Sequence, residues 1–294
     1  MLAVSAADPS TALAQLQKAW HELIGLFEGK RSVRLPTLLS VVSSRLARIP
    51  LAREPHTVAV VSLVGEYFVR KDLFSRCDIV DYLQAHGFAV KVAPAMEYLC
   101  YSMYNMRRGL QEGVSTPLQR MVAGVKASVQ QWWEWRIKSL LAASGLYRFE
   151  MIDVERTVTG VRHLVNENLR GETILTVGSA MREILDDSCG VVAIGPFGCM
   201  PSRISEAILK REMTVAGKRR MRGWERRELV VAEEESLPFL SIETDGNPFP
   251  QVIRANLEAF VLRAARLHRR QLAREADAAV PAVETKPGRV LAGG

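Results

Sequence analysis

Residues 57–64 read TVAVVSLV, a continuous run of mostly β-branched apolar residues. Such a run predicts a strand that is buried on both faces, which is typical of a parallel sheet. Similar short runs predict further strands at 88–92, 173–177, 190–194 and 239–242. Helical patterns separate these runs, so the sequence predicts an α/β fold with an open parallel sheet, flanking helices and right-handed crossovers.

The chain divides into three predicted parts. Residues 1–55 form a helical N-terminal segment, and residues 56–272 form the α/β domain. Residues 273–294 are rich in Ala, Pro and Gly, and we expect a disordered tail there. Within the α/β domain, a long helix at about 115–145 is expected to cap one side, and its apolar residues, Trp132 and Trp133 included, predict core or domain packing.

The composition excludes several classes of protein. The chain has 294 residues, of which 48% are hydrophobic and 24% charged, as in ordinary globular domains. No stretch approaches the roughly 20 apolar residues of a membrane-spanning helix. The N-terminus also lacks the basic start and apolar run of a secretory signal. We therefore expect a cytoplasmic protein that does not act at a membrane.

The net charge of +7 is a mild excess that favours anionic partners, including coenzyme phosphates. Much of this charge lies in residues 210–227, for which a solvated surface loop is the simplest expectation. Trp224 is the single aromatic residue in that segment, whereas nucleic-acid surfaces usually interleave several aromatics with basic residues. We therefore expect no nucleic-acid partner.

Loops that follow parallel strands meet at one edge of the sheet, where ligands bind in open α/β folds. After the first predicted strand come Glu66 and Arg70, which are candidates for a polar catalytic network. Arg70 could instead bind a carboxylate or phosphate through its planar guanidinium group. As a third alternative, the charged residues of this loop could only form salt bridges with one another. After the third predicted strand, Gly178 and Ser179 would lie at the same edge. Neither GxGxxG nor GxxxxGK[ST] occurs in the chain.

The loop after the fourth predicted strand carries the most informative cysteine. Gly195 and Gly198 permit a tight turn, and Pro201 suits the first position of a helix. Cys199 therefore lies close to a helix N-terminus, where the dipole favours a thiolate that could ligate a metal cluster or attack an electrophile. A small buried cysteine in a turn is the structural alternative. The spacing of the four cysteines matches no CxxC motif, and we expect no disulfide.

Five stretches together carry a family resemblance: GEYFVRKDLF at 65–74, APAMEY at 93–98, GETILTVGSA at 171–180, GPFGCMPSRISEAIL at 195–209 and PFLSIETDGNPFPQVIRANLEAF at 238–260. They resemble the 2-hydroxyacyl-CoA dehydratase-related proteins, a family also described as CoA-substrate-specific enzyme activase-related. The similarity covers roughly residues 57–270, and the PFGCMPS and IExDG elements are its most specific parts.

The resemblance implies a flavodoxin-like α/β domain near an iron–sulfur cluster. Related dehydratases hold a [4Fe–4S] cluster through cysteine thiolates and receive an electron from a separate activase that hydrolyses ATP. The electron enters an acyl-CoA thioester, and the resulting ketyl radical permits the elimination of water. By motif match Cys199 is the candidate ligand, and Pro196, Gly198 and Ser202 form the loop around the cluster.

One departure from the family pattern concerns the number of thiolates. A cluster normally needs three or four of them, yet Cys199 alone lies in a recognised motif, and residues 1–55 contain no cysteine. The resemblance therefore implies a split system, in which a dehydratase-like partner subunit supplies further ligands. Cys100, which follows the second strand, is a possible additional ligand.

Two other functions stay open. The chain could be a non-catalytic scaffold or regulatory subunit of an activase complex, which would explain the shortage of ligands. It could also use Cys199 as the nucleophile of a transferase or hydrolase, although no histidine follows a neighbouring strand to act as the base.

Overall fold

The structure is a computed structural model, and it describes residues 1–110, 116–169, 171–223 and 235–279. Its centre is one sheet of four parallel strands in the order β2-β1-β3-β4. This confirms the predicted α/β class and matches a flavodoxin-like arrangement. The strands are β1 (Val60–Gly65), β2 (Ala89–Val92), β3 (Gly190–Pro196) and β4 (Phe239–Thr244).

Helices flank the sheet and also form the N-terminal segment. In chain order they are α1 (Leu2–Ser5), α2 (Pro9–Phe27), α3 (Leu35–Leu46), α4 (Ile79–Ala85), α5 (Met96–Arg108), α6 (Pro117–Ala142), α7 (Val154–Val161), α8 (Thr173–Glu183), α9 (Met200–Glu212), α10 (Val215–Arg220) and α11 (Gln251–Ala279). Within the described residues no helix is both long and apolar enough to cross a bilayer.

The two central strands explain why their sequences are continuously apolar. Both β1 and β3 are buried along almost their whole length, since helices cover both faces of the sheet. Val61 of β1 pairs with Val90 on one side and with Gly190 on the other. The edge strands β2 and β4 are only partly buried.

The prediction of a strand at 173–177 is wrong, because this segment lies in helix α8. The helix packs against β1, β3, α7 and α9, and residues 173–181 are all buried. A helix that is buried on all sides shows no 3.6-residue periodicity, and its β-branched residues then resemble a buried strand. As a result Gly178 and Ser179 lie in the middle of a helix and not in a loop at the sheet edge.

The expectation of a solvated loop at 210–227 is also wrong for its first part. Residues 210–212 end α9, and Lys218 lies in α10 with its side chain fully buried. Its ammonium group donates to the carbonyls of Met181 and Arg182, at 2.5 and 2.8 Å, and pairs with Asp186 at 2.9 Å. The remainder of the segment from residue 224 lies outside the described residues.

The N-terminal helices have a small core of their own, which includes Ala12, Leu38 and Val42. Helix α6 contacts both α3 and α5, so it lies against the N-terminal helices as well as the α/β domain. At the other end, α11 continues to Ala279, inside the segment predicted to be disordered, and residues 280–294 lie outside the described residues.

Candidate functional site

The carboxyl ends of β1 and β3 lie side by side at the point where the strand order reverses. The chain passes from β1 to β2 on one side and from β3 to β4 on the other, and in open α/β folds ligands bind beyond the strand ends at such a switch point, which is called the crevice below. Gly65 closes β1 with a φ of +114°, and a Cβ there would overlap the carbonyl oxygen of Ile194. The backbone N–H of Glu66 then donates to that same oxygen at 2.8 Å. The two strand ends are therefore in direct backbone contact.

Cys199 lies at this edge, in the loop that leads from β3 into α9. Gly198 has a φ of +71°, and the N–H of Cys199 donates to the carbonyl of Pro196 at 3.1 Å, which closes the turn. Cys199 occupies the N-cap position of α9, and its half-buried side chain makes no capping hydrogen bond. The thiol thus lies where the helix dipole favours an anionic ligand.

Ser202 holds α9 close to β3. A Cβ on Gly195 would overlap the hydroxyl of Ser202, so glycine is required where the helix approaches the strand. Of the three residues predicted to form the loop around a cluster, Pro196 ends β3, Gly198 makes the turn and Ser202 packs against the strand. The structure therefore brings all three together with Cys199.

Arg70 is directed into the protein and not into the crevice. Its side chain is 2% exposed, donates to the carbonyls of Gly65 and Pro94 at 3.2 and 3.4 Å, and pairs with Glu97 at 3.4 Å. Glu97 in turn accepts a hydrogen bond from Ser179 of α8. Arg70 therefore joins the ends of β1 and β2 to α5 and α8, which is a structural role.

Glu66 is also occupied by its own loop. Its Oε2 accepts hydrogen bonds from the backbone N–H groups of Phe68 and Val69, at 3.0 and 2.7 Å. Glu66 also lies beside Gly195, but its Oε2 is used to cap the turn that follows β1. The structure thus places Glu66 at the crevice with its Oε2 bound to its own loop, and it places the guanidinium of Arg70 inside the protein.

Glu172 is a site residue that sequence reasoning missed. It precedes α8, and its Oε2 accepts a hydrogen bond from the N–H of Tyr67 at 2.8 Å. The hydroxyl of Thr173 donates to the carbonyl of Pro201 at 3.3 Å, so the N-termini of α8 and α9 meet at this edge. Burial, helped by the nearby Glu66, raises the pKa of Glu172, which favours a carboxyl that keeps its proton. Because the sequence pattern predicts a strand at 173–177, it gives no sign that a helix begins at Thr173.

The other three cysteines are also free, and each makes a hydrogen bond with a local partner. Cys100 lies in α5 and accepts a hydrogen bond from Gln130 of α6 at 3.0 Å, and burial raises the pKa of its thiol to about 11. Cys189 is buried before β3, at the opposite edge of the sheet, and burial raises its pKa to about 12. Cys77 donates to the carbonyl of Asn247 at 3.4 Å.

One group of three possible metal ligands occurs within the described residues, namely Glu150, Glu183 and Asp187. The ammonium group of Lys91 lies 2.7 Å from each of the two glutamates and 3.7 Å from Asp187. Burial alone would lower the pKa of Lys91, but these carboxylates outweigh it and raise the pKa. The group is therefore an ion-pair network, and it includes neither Cys100 nor Cys199.

Large apolar side chains are exposed in the loops at this edge of the sheet. Phe197 and Met200, which flank the Gly198–Cys199 turn, are 79% and 64% exposed, and Phe68 of the neighbouring loop is also exposed. Exposed apolar groups around a polar crevice are typical of a surface that a partner or ligand covers.

Comparisons with known proteins found no match to any family model, to any curated protein or to any solved structure.

Proposed function

We propose that this chain is the iron–sulfur-associated subunit of a 2-hydroxyacyl-CoA dehydratase-like system. Cys199 supplies one thiolate to a [4Fe–4S] cluster, and a dehydratase-like partner subunit supplies the others. An ATP-dependent activase delivers the electron, and an acyl-CoA thioester receives it. The system works in the cytoplasm, where the four free cysteines stay reduced.

The observation that carries this proposal is the position of Cys199. Its thiol is half-buried, makes no capping hydrogen bond and stands at the N-terminus of α9, beside the crevice between β1 and β3. A helix N-terminus favours negative charge, so this position is compatible with a thiolate ligand.

This chain alone does not fit a complete cluster. A [4Fe–4S] cluster normally takes three or four thiolates, whereas in the described part of the chain no group of three possible ligands contains Cys199. Exposed Phe68, Phe197 and Met200 give a partner subunit apolar surface to cover around the thiol. These observations support a shared cluster and argue against one held by this chain by itself.

Glu172 extends the proposed role of the crevice. The cluster, when bound, supplies one-electron chemistry, and this chain positions groups around it. Glu172 keeps its proton to higher pH than an ordinary glutamate because it is buried. It is therefore the residue of this edge best suited to hold a proton for a departing hydroxyl group.

Iron analysis of the tagged full-length chain, purified without oxygen from its native host together with whatever it binds, tests the proposal. We expect about four iron atoms per complex in the wild type and a loss of iron in Cys199→Ser. The matched control is Cys189→Ser at the opposite edge of the sheet, which keeps a donor to the carbonyl of Val60 and should retain the iron. Unchanged iron content in Cys199→Ser would contradict the role of Cys199.

A non-catalytic scaffold or regulatory subunit of an activase complex is the second candidate. Two observations favour it: no group of three possible metal ligands in the described residues contains Cys199, and both Arg70 and Glu66 are bound within the protein. A stoichiometric complex with its partner that contains no iron would establish this candidate in place of the first.

A further inference from the structure

Helix α6 carries a long apolar face that nothing in the described structure covers. The helix has 26 residues and is about 39 Å long at 1.5 Å per residue. Its opposite side, which includes Ala123 and Glu134, is buried. The uncovered residues are between 40% and 64% exposed, and they are Leu118, Met121, Val122, Val125, Val129, Trp132, Trp133 and Trp135.

Of the core or domain packing predicted for the two tryptophans, this exposure shows that core packing is wrong, and domain packing stays a prediction. Trp132 and Trp133 contact each other with their ring centroids 4.9 Å apart, and the guanidinium of Arg136 lies 5.4 Å from the centroid of the Trp132 ring. The ring faces are therefore held in place at the surface, whereas about half of each side chain is still open to solvent. Ordered, exposed aromatics of this kind dominate the energetics of protein interfaces.

The apolar positions along α6 are arranged almost symmetrically in the sequence on either side of Ala127. Met121 and Trp133 lie equally far from this midpoint, as do Val122 and Trp132, and Val125 and Val129. At 100° per residue these six positions fall on one side of the helix. When two copies of α6 pack antiparallel about a twofold axis, each of these apolar positions therefore faces an apolar position of the other copy. Such a contact uses the same surface on both copies and is called isologous.

The basic residues of α6 are compatible with such a contact. In an antiparallel pair centred on Ala127, Lys126 would lie opposite Ser128 and Arg136 opposite Leu118, whereas Glu134 lies on the buried side of α6 and takes no part. No basic residue is therefore placed directly opposite another. A pairing of two α6 helices in the parallel direction would instead set each cation opposite its own copy, which costs energy.

The exposed area is large enough for a stable dimer. Eight apolar side chains that are about half exposed, three of them tryptophans, leave roughly 800 Å² open to solvent, using about 150–250 Å² for each full aromatic side chain. A standard interface takes about 800 Å² from each partner. The exposed apolar surface of α6 is therefore of that order, and a contact that covers most of it would bury a near-standard area.

We propose that two copies of this chain associate through antiparallel packing of their α6 helices. The contact buries the exposed apolar face of α6, whose midpoint along the helix axis is at the level of Ala127. It leaves the crevice at Cys199 outside the paired helices. This association is independent of iron, so its failure would leave the proposed function untouched.

Sedimentation and light scattering of the full-length chain test the proposal. We expect twice the monomer mass for the wild type, and a monomer for the double variant Val125→Asp, Val129→Asp, with association roughly 100-fold weaker or more because two carboxylates would be buried in each half. Both residues are more than half exposed, so the monomer should fold normally. The matched control is Val252→Asp on α11, also an exposed valine, which should stay dimeric.

A photo-cross-linking residue at Val122 tests the direction of the helices. In the antiparallel pair it should attach to the peptide of the second copy that contains Trp132, and attachment around Val122 itself would contradict the geometry. A wild type that is monomeric throughout would overturn the proposal. Binding of that monomer to phosphatidylserine vesicles, lost in the double variant, would assign the face to a lipid surface instead.

Discussion

Gly65 shows at the scale of one residue how backbone geometry builds the crevice. Its φ of +114° is open to glycine but strained for other residues, and a Cβ would overlap the carbonyl oxygen of Ile194. We expect Gly65→Ala to lower the free energy of unfolding by about 2–4 kcal/mol, measured by urea denaturation. Gly25→Ala in α2 is the control, because its nearest neighbouring atom is 4.0 Å from the new Cβ. It should be neutral or stabilise by up to about 1 kcal/mol, and equal losses in both variants would contradict the argument.

Residue types in the sequence predicted part of this site. The glycines, Pro201 and Cys199 mark a strand, a turn and a helix start, and the structure has these features at the predicted positions. The role of Arg70 could not be predicted, because a salt bridge inside the protein and one at its surface need the same residue types. Only the fold shows that Arg70 meets Glu97 away from solvent.

At the scale of elements, helix α8 depends on a lysine from another helix. Lys218 of α10 donates to the last-turn carbonyls of Met181 and Arg182, which an isolated helix would leave without partners. Lys218→Met removes these donors and one partner of Asp186, so we expect a loss of about 2–4 kcal/mol in the free energy of unfolding. Lys210→Met, at an exposed pair with Glu206, should change it by less than about 0.5 kcal/mol. Thermal denaturation of both variants makes the comparison, and a small effect at Lys218 would show that water can replace its ammonium group.

Helix α8 also shows where sequence periodicity fails. The strands β1, β3 and β4 and the helices α2, α6 and α9 were predictable, because their apolar runs or spacings have one interpretation. Residues 173–181 are buried on all sides, so their apolar pattern fits either a strand or a helix. Glu172 was missed for the same reason, since a helix N-terminus cannot be recognised in a segment that is taken for a strand.

At the scale of the whole molecule, the residues that the structure describes form two hydrophobic cores. The larger one surrounds the sheet and includes Val192, and the smaller one lies among α1, α2 and α3 and includes Val42. Helix α6 contacts α3 on one side and α5 on the other. The sequence predicted the N-terminal helices from their spacing, but it could not show that their apolar residues are divided between a core and an exposed face, since that division depends on tertiary packing.

This division predicts that the smaller core opens without the larger one. Val42→Ala removes two buried methyl groups and should cost about 1–3 kcal/mol, which raises the opening of α2 and α3 roughly 10–100-fold. Hydrogen exchange of the full-length chain should then be faster in α2 and α3 and nearly unchanged in β1 and β3. Val192→Ala in the central strand is the matched comparison, and it should accelerate exchange in every slowly exchanging segment, because those amides exchange through global unfolding. Equal acceleration of β1 and β3 by Val42→Ala would mean that α6 couples the two cores into one cooperative unit.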